Sequence, residues 1–379
     1  MRIGILTLPL HTNYGGILQA YALQTVLERM GHDVVVIEQK QRSKANYWNM
    51  FFQFIPRVYK RKFLKKDIQL LPEIYERKFE PVIRKNTNAF IKKHLHIKSD
   101  SSYMKVVNSN NLDCIVVGSD QVWRPLYVEN IDDFFVGFDP TVKVKRISYA
   151  ASFGVDKWEF TDEQTKACSN LIRKFAAVSV REKIGVDFCK KYFGVNAIQV
   201  LDPTMLLGLS DYVKLAEIEN KNKSSGNLFC YILDETSKKD TLINNVARLN
   251  GLTPFYTKAK EVASLKKCMQ NINDCVIPDV STWIQSFIDA EMVITDSFHG
   301  CVFSIIFNKP FWAFINPERG TARFDSLLSL FNLKDRIISV GNDFSQFEWK
   351  KAIDWDSVNH LKKMYEDKSI GFLREQLNC

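Results

Sequence analysis

Residues 291–310, EMVITDSFHGCVFSIIFNKP, carry the pattern on which the fold prediction rests. They contain a short apolar β-type run (MVIT), two residue types that cap helix N-termini (DS) and a buried helix (GCVFSIIFN). His299 is therefore predicted at or just inside a helix N-terminus, at the carboxyl end of a strand. Ligands of open α/β sheets bind in the crevice at those strand ends.

The predicted helix N-terminus at His299 suits an anion. Its free backbone N–H groups and the helix dipole favour negative charge, so Ser297, Phe298 and Gly300 are candidate substrate-binding residues. Histidine can move a proton near neutral pH, which makes His299 a candidate catalytic residue. A buried histidine that hydrogen-bonds near its own helix cap explains the same pattern equally well.

The size and composition of the chain indicate a globular protein of two domains. Its 379 residues are more than most single hydrophobic cores accommodate. Hydrophobic residues make up 46% of the chain and charged residues 25%, as in typical globular proteins. No run approaches the ~20 apolar residues of a spanning helix, and the N-terminus lacks the blocks of a signal peptide, so we expect a cytoplasmic protein. The 8 cysteines include no CxxC pair, which favours buried reduced thiols over disulfides or a metal site.

The net charge of +9 is concentrated in one segment. Lys40–Lys105 holds 17 Lys and Arg against 5 Asp and Glu, a local +12, and opens with six aromatics between Tyr47 and Tyr59. Such a segment suits an anionic membrane surface, a polyanionic substrate or nucleic acid. We favour a solvated helical insertion over peripheral contact with the inner membrane face, and expect no nucleic-acid partner because no binding module accompanies the charge.

Two sets of alternating strands and helices predict an α/β fold. The first set has strands predicted at Arg2–Leu8, Asp33–Glu38, Asp113–Val117, Arg146–Ala150, Ala177–Val180 and Ile198–Leu201. The second has strands predicted at Leu228–Leu233, Thr253–Tyr256, Cys275–Ile277, Met292–Thr295 and Phe311–Ile315. We therefore predict two Rossmann-like, doubly wound domains facing each other across a cleft.

The predicted domain boundaries follow from composition. An N-terminal domain spans 1–207, with the basic aromatic insertion at about 40–105. A polar linker at 208–226 leads to a C-terminal domain at 227–350, and a helix within 351–379 is predicted to pack back.

The loop HTNYGG after the first strand is a candidate ligand-binding turn. Paired glycines, Gly15 and Gly16, let the backbone approach a ligand closely and leave amides for an anion, with Asn13 and Tyr14 beside them. The loop matches neither GxGxxG nor a Walker motif. A tight turn in which Tyr14 packs locally is the alternative.

The segment VGSDQVW (117–123) supplies a candidate carboxylate after another strand. Asp120 would project from the sheet edge and accept a proton from a substrate hydroxyl, with Ser119 beside it and Trp123 stacking on a sugar ring. A helix cap is the alternative role for Asp120.

Cations are predicted at the same edge. Arg181, in VSVREKIG, follows a strand and suits a bidentate grip on a carboxylate or phosphate, or else a pair with Glu182. Arg319 and Arg323, in NPERGTARF, give a cationic loop after the last strand. With an imidazole, these guanidiniums would form a site for a small dianion or trianion whose chemistry needs a proton.

Six segments, in order, resemble the polysaccharide pyruvyl transferase family: NYGGILQAYAL, DCIVVGSDQVW, ISYAASFG, SVREKIG, QVLDPTMLL and ITDSFHG. Each is short, but their order and spacing together are specific. The resemblance runs through most of the chain and covers the Lys40–Lys105 insertion least well.

The resemblance implies a glycosyltransferase-B-like fold and transfer of pyruvate from phosphoenolpyruvate to a sugar as a ketal, with release of phosphate. In the family, the arginine of the motif matching SVRE and the histidine of the motif matching SFHG are catalytic, which here are Arg181 and His299. A further basic residue corresponds to Arg319 or Arg323. The implied partners are phosphoenolpyruvate and a free or lipid-linked saccharide, with no metal or redox cofactor.

Two other functions stay open. A glycosyltransferase that uses a nucleotide sugar would need a carboxylate for the ribose, for which Asp279 and Asp289 are available. A non-catalytic sugar- or anion-binding module is the second alternative, although a module that needs only affinity has little use for a proton donor such as His299.

Overall fold

The computed structural model describes residues 1–40, 78–139, 143–217, 223–261, 264–315, 321–338 and 348–378. Within these residues it contains two parallel sheets, one of seven strands and one of five. The predicted fold class, two doubly wound α/β domains, is confirmed. We call the unit around the seven-stranded sheet the N-terminal domain and the other unit the C-terminal domain.

The sheet of the N-terminal domain has the order β3-β2-β1-β4-β5-β6-β7. Its strands are β1 (Arg2–Leu6), β2 (Asp33–Gln39), β3 (Ile97–Asp100), β4 (Cys114–Val117), β5 (Lys145–Ala151), β6 (Ala177–Val180) and β7 (Ile198–Gln199). Its helices are α1 (Tyr14–Arg29), α2 (Glu80–Ile83), α3 (Lys85–His94), α4 (Tyr103–Ser109), α5 (Asp162–Ile172) and α6 (Lys183–Phe188). The strand order reverses between β1 and β4, so their carboxyl ends form a topological switch point.

The sheet of the C-terminal domain has the order β12-β11-β10-β8-β9. Its strands are β8 (Leu228–Tyr231), β9 (Pro254–Phe255), β10 (Met292–Thr295), β11 (Phe311–Phe314) and β12 (Ile337–Ile338). The helices packed with it are α7 (Leu209–Glu217), α8 (Ser237–Asn250), α9 (Leu265–Asn271), α10 (Val280–Asp289), α11 (Phe298–Ile306) and α12 (Ala322–Leu330). Here the order reverses between β8 and β10, which gives this domain its own switch point.

Local sequence explains the elements that lead to the two switch points. Strands β4 (CIVV) and β10 (MVIT) are buried at every residue, as expected of parallel strands with helices on both faces. Helix α1 begins where the Asn13 Oδ1 atom accepts the Gly16 N–H at 3.3 Å, which satisfies a backbone donor that the first turn leaves free.

One predicted strand is wrong and two short strands were missed. Cys275–Ile277, predicted as a strand, begins at the last residue of a 3₁₀ turn (Ile272–Cys275) and joins neither sheet. The Ile277 N–H donates instead to the Ile83 carbonyl at 3.0 Å. This hydrogen bond links the C-terminal domain to the described part of the basic insertion. The missed strands, β3 and β12, are sheet edges of four and two residues with little periodicity.

The basic insertion lies only partly within the described residues. Its aromatic run, from Tyr47 to Tyr59, lies outside them, so the membrane-contact prediction stays a prediction. The described part forms helices and β3, which pairs with β2. Phe79 and Ile83 pack on Cys268 and Cys275 of the C-terminal domain, so this part of the insertion bridges the two domains.

The last helix, α13 (Trp355–Leu377), returns to the N-terminal domain. The Leu201 N–H donates to Ser369 Oγ at 3.0 Å, and the rings of Tyr149 and Phe372 lie 6.4 Å apart. Part of the predicted linker forms α7, where the ring of Tyr212 lies 4.9 Å from that of Phe303. Of the helices that the structure describes, none combines the length and hydropathy of a transmembrane segment.

Candidate active site

A cleft of about 470 Å³ lies between the domains where their two switch points face each other. The N-terminal domain contributes loops that follow β1 and β4, and the C-terminal domain contributes loops that follow β8 and β10. Seven of the sequence-predicted site residues line it: Asn13, Tyr14, Asp120, Ser297, Phe298, His299 and Arg323.

His299 lies at the N-terminus of α11, as the sequence predicts. Ser297 occupies the N-cap position and the helix begins at Phe298. Within the described chain, the Ser297 side chain makes no capping hydrogen bond to the first turn. The backbone donors of this turn therefore stay available to an anion in the cleft.

The two domains hold the His299 imidazole between them. Its Nε2 atom lies 3.6 Å from Asp202 Oδ2, an ion-pair distance. The ring also packs closely on α1, because a Cβ atom placed on Gly15 would lie only 2.0 Å from Nδ1. Only glycine at position 15 leaves room for the His299 ring. The sequence predicted a different role for Gly15, the close approach of its backbone to a ligand.

Arg181 lies behind the cleft wall and is surrounded by carboxylates. Its Nε bonds Glu182 at 3.0 Å, its Nη1 bonds Asp202 at 2.9 Å and its Nη2 bonds Asp120 at 3.4 Å. Its guanidinium carbon also lies 4.3 Å from the centroid of the Phe298 ring. Burial alone would lower the pKa of Arg181, but the three carboxylates raise it, so the guanidinium stays charged.

Asp202 connects Arg181 to His299. Its Oδ1 atom accepts the Thr204 N–H at 3.0 Å and the Thr204 hydroxyl at 2.7 Å, while Oδ2 faces both the Arg181 guanidinium and the His299 imidazole. Burial alone would raise the pKa of Asp202, but His299, Arg181 and Thr204 lower it well below its usual range. Asp202 is therefore an anion near neutral pH, fixed beside the imidazole.

Sequence reasoning missed Asp202 as a site residue. It falls within the quoted segment QVLDPTMLL and follows β7, so it lies at the same sheet edge as Asp120 and Arg181. The signal that found the other residues, a polar side chain after an apolar strand, was present here too.

Asp120 contributes a carboxylate to both Arg181 and the cleft. Its backbone has φ 68°, in the left-handed region, which aspartate tolerates better than most residues. Strain of this kind clusters at functional sites. The side chain lines the cleft and is otherwise buried, so the predicted position at the sheet edge agrees with the structure.

Arg323 is the described arginine that faces the cleft. Its Nε atom is buried and, among the residues that the structure describes, has no hydrogen-bond partner. Burial lowers the pKa of Arg323, and the nearby positive charge of Arg181 lowers it further. An anion in the cleft would supply the missing partner and charge. Arg319, the other candidate of this loop, lies outside the described residues.

Two predicted substrate-binding residues, Trp123 and Ser119, have structural roles instead. Trp123 is 0% exposed and stacks on Phe135 at 5.0 Å, so it cannot stack on a sugar, and that prediction is wrong. Ser119 is also 0% exposed and donates its hydroxyl to the Ala150 carbonyl at 2.8 Å. Gly300 packs against β10, where an added Cβ would lie 2.1 Å from Thr295 Oγ1, so only glycine fits there; its predicted backbone contact with the substrate stays a prediction.

The rest of the HTNYGG loop joins the domains. The Tyr14 hydroxyl donates to the Pro278 carbonyl at 2.8 Å, and its ring stacks on Trp283 at 5.4 Å. Tyr14 thus packs across the cleft rather than within its own turn. Asn13 is exposed at the cleft, and an added Cβ at Gly16 would make only an ordinary contact, at 3.5 Å, with Asn13.

The arrangement can bind an anion and move a proton. An uncapped helix N-terminus and Arg323 favour negative charge in the cleft, and His299 lies beside them with Asp202 behind it. Within the described ranges, no three His, Cys, Asp or Glu side chains are grouped as metal ligands. The prediction that no metal takes part stays a prediction.

The chain resembles known proteins in sequence pattern and in fold. The family model for polysaccharide pyruvyl transferase matches residues 13–318. No curated protein matches the chain.

Solved structures with similar folds come from nucleotide-sugar enzymes. The UDP-GlcNAc 2-epimerase from Neisseria meningitidis, bound to UDP-GlcNAc, is 11% identical, with 100% of this chain and 99% of that chain covered and a TM-score of 0.50. The UDP-GlcNAc 2-epimerase from Methanocaldococcus jannaschii is 11% identical, with 97% and 93% covered and a TM-score of 0.47. At this identity the first likeness shows the fold alone, the glycosyltransferase-B arrangement. Because the family model matches most of the chain, the chain belongs to the polysaccharide pyruvyl transferase family.

Proposed function

We propose that this protein transfers the pyruvyl group of phosphoenolpyruvate to two hydroxyls of a sugar in a surface or capsular polysaccharide precursor. The products are a pyruvate ketal and phosphate. The observation that carries the proposal is that His299, the N-terminus of α11 and Arg323 meet at one inter-domain cleft, where Arg323 Nε has no hydrogen-bond partner among the described residues. Phosphoenolpyruvate carries a phosphate and a carboxylate, so it needs convergent donors, and its enol carbon needs a proton.

The first step is proton transfer from His299. Because Nε2 faces Asp202 at 3.6 Å, Nδ1 is the nitrogen left to donate towards the cleft. It gives its proton to the methylene carbon of phosphoenolpyruvate, which creates positive character at C2. Asp202 stabilises the protonated imidazole before the transfer and fixes the ring's orientation.

One sugar hydroxyl then adds to C2, and the second replaces phosphate there. One sugar hydroxyl attacks C2 and loses its proton, for which the Asp120 carboxylate at the cleft is the nearest assigned base. Phosphate then leaves, and the second hydroxyl attacks C2 to close the ketal. Asp120 then passes its proton to the departing phosphate, and the proton of the second hydroxyl returns to His299, so both the carboxylate and the imidazole are restored.

The two arginines have different roles in the proposed reaction. Arg323 and the N-terminus of α11 contact the donor's phosphate or carboxylate directly and stabilise the charge that develops on departure. Arg181, whose three nitrogens already bond carboxylates, holds Asp120 and Asp202 in place. The pyruvyl transfer itself requires no metal or redox cofactor.

A phosphate-release assay with phosphoenolpyruvate and a panel of free and lipid-linked oligosaccharides tests the proposal. His299→Ala should lower kcat by about 10²–10⁴-fold, the usual effect of a placed general acid, in a protein that circular dichroism shows to be folded. His360→Ala, at an exposed position of α13, is the matched control and should behave as wild type. Wild-type protein that binds UDP-sugars but neither binds phosphoenolpyruvate nor releases its phosphate would refute the proposal in favour of a nucleotide-sugar enzyme.

A further inference from the structure

Two exposed tyrosines line the cleft on opposite domains. Tyr127 ends a 3₁₀ turn (Pro125–Tyr127) of the N-terminal domain and is 51% exposed. Tyr256 follows β9 of the C-terminal domain and is 39% exposed. Both belong to the same cavity as His299. Aromatic rings usually bury most of their surface, so two open rings in one cleft point to a ligand.

Each ring lies against a cation that is paired with a carboxylate, Glu159 for Arg124 and Glu235 for Lys258. The Arg124 guanidinium carbon lies 4.5 Å from the centroid of the Tyr127 ring, and Arg124 forms two hydrogen bonds with Glu159, at 3.0 and 3.1 Å. Lys258 Nζ lies 4.9 Å from the centroid of Tyr256. Such cation–π contacts stabilise the position of an aromatic ring. We therefore call the Tyr127 and Tyr256 rings platforms, meaning flat surfaces on which a ligand ring can stack.

The polar groups nearby suit hydroxyls. Gln121, Thr257 and Lys258 line the same cleft, and the last two directly follow Tyr256 in the chain. An aromatic face with amide, hydroxyl and ammonium groups around it matches a sugar ring, which has apolar C–H faces and a polar edge. The cleft of about 470 Å³ is also larger than a three-carbon acid phosphate fills.

We infer that Tyr127 and Tyr256 form the acceptor subsite, where sugar rings of the saccharide stack before a hydroxyl pair reaches C2 of the donor. The inference rests on the proposed function, because pyruvyl transfer requires an acceptor beside phosphoenolpyruvate. It assigns the donor to the His299 end of the cleft and the saccharide to the tyrosine end.

The test uses the full chain in two assays. Tyr127→Ala and Tyr256→Ala are compared with Leu126→Ala and Leu249→Ala. Leu126, 72% exposed, neighbours Tyr127 on the same turn, and Leu249, 58% exposed, lies on α8; neither lines the cleft. An array of immobilised oligosaccharides, probed with labelled protein in saturating phosphoenolpyruvate, measures glycan binding. Phosphate release with the best-bound oligosaccharide gives separate KM values for donor and acceptor.

Each tyrosine-to-alanine change should raise the acceptor KM and weaken glycan binding by about 2- to 10-fold, with an unchanged donor KM. Tyr127→Phe should keep wild-type values because the ring face is retained. The leucine variants should also match wild type. Tyrosine variants with unchanged acceptor KM, or a wild-type protein that binds no glycan, would overturn the subsite. Glycan binding lost in the tyrosine variants without any phosphate release would support the subsite and overturn the transfer function.

Discussion

Replacing Gly15 by alanine adds one methyl group against the His299 imidazole. The new Cβ would lie 2.0 Å from His299 Nδ1, 2.2 Å from Cγ and 2.6 Å from Cε1. Non-bonded carbon and nitrogen atoms prefer separations of about 3.5 Å or more. The ring must therefore move by roughly 1.5 Å away from α1.

The expected loss is in catalysis rather than in folding. A misplacement of about 1 Å can cost on the order of 10²-fold in rate, so kcat should fall at least about 10²-fold, or about 2.7 kcal/mol of transition-state stabilisation. Alanine in a helix gains about 0.5–1 kcal/mol over glycine, whereas overpacking costs about 1–3 kcal/mol. The net destabilisation is therefore about 0–2.5 kcal/mol, less than the roughly 5–15 kcal/mol of a typical domain, so the variant should stay folded.

The assay is phosphate release from phosphoenolpyruvate, with thermal unfolding measured in parallel. Gly16→Ala is the matched control, because its Cβ would meet Asn13 at an ordinary 3.5 Å on the same first turn of α1. It should keep wild-type kcat. A folded Gly15→Ala protein with wild-type kcat would show that the position of the His299 ring does not limit turnover, and would refute the reasoning.

Three further variants probe the cations and the carboxylate behind the ring. The pKa of Asp202 is lowered in the folded state, so its stabilising contribution is complete above the unfolded value of about 3.9 and is lost as pH falls through the lower folded value. Urea unfolding should therefore show the wild-type free energy falling more steeply than that of Asp202→Asn below about pH 4; parallel curves would contradict this. Arg323→Gln should raise the KM for phosphoenolpyruvate about 10-fold or more, since charged hydrogen bonds are worth about 1.5–3 kcal/mol, and an unchanged donor KM would remove Arg323 from the donor site. Arg181→Lys keeps the charge but cannot span three carboxylates, so denaturant unfolding should show a loss of about 3–5 kcal/mol; undiminished stability would show that the network is not structural.

The sequence predicted the fold and the position of His299 because both depend on local patterns. Apolar runs followed by glycine, serine or aspartate identify strand ends, and strand ends of parallel sheets face one edge. The start of α11 next to His299 follows from five consecutive residues, TDSFH. The missed strands β3 and β12 are short edges without such a pattern.

The direction of individual side chains needed the tertiary structure. Trp123 lies in a strand-end segment, yet its ring turns into the core against Phe135. Arg181 pairs with Glu182, the alternative that its sequence left open, and also with Asp120 and Asp202, which lie 61 and 21 residues away in the chain. No periodicity specifies such long-range partners, nor the contact of His299 with Gly15 across the domain interface.

Transfer of carbon from labelled phosphoenolpyruvate tests the proposed reaction most directly. Wild-type protein is incubated with phosphoenolpyruvate carrying heavy carbon throughout and with an oligosaccharide acceptor, and the glycan is analysed by mass spectrometry. We expect the glycan to gain the complete labelled pyruvyl group while phosphate is released, and His299→Ala to leave it unlabelled. Phosphate release with an unlabelled glycan, or equal labelling by His299→Ala, would contradict pyruvyl transfer by this imidazole.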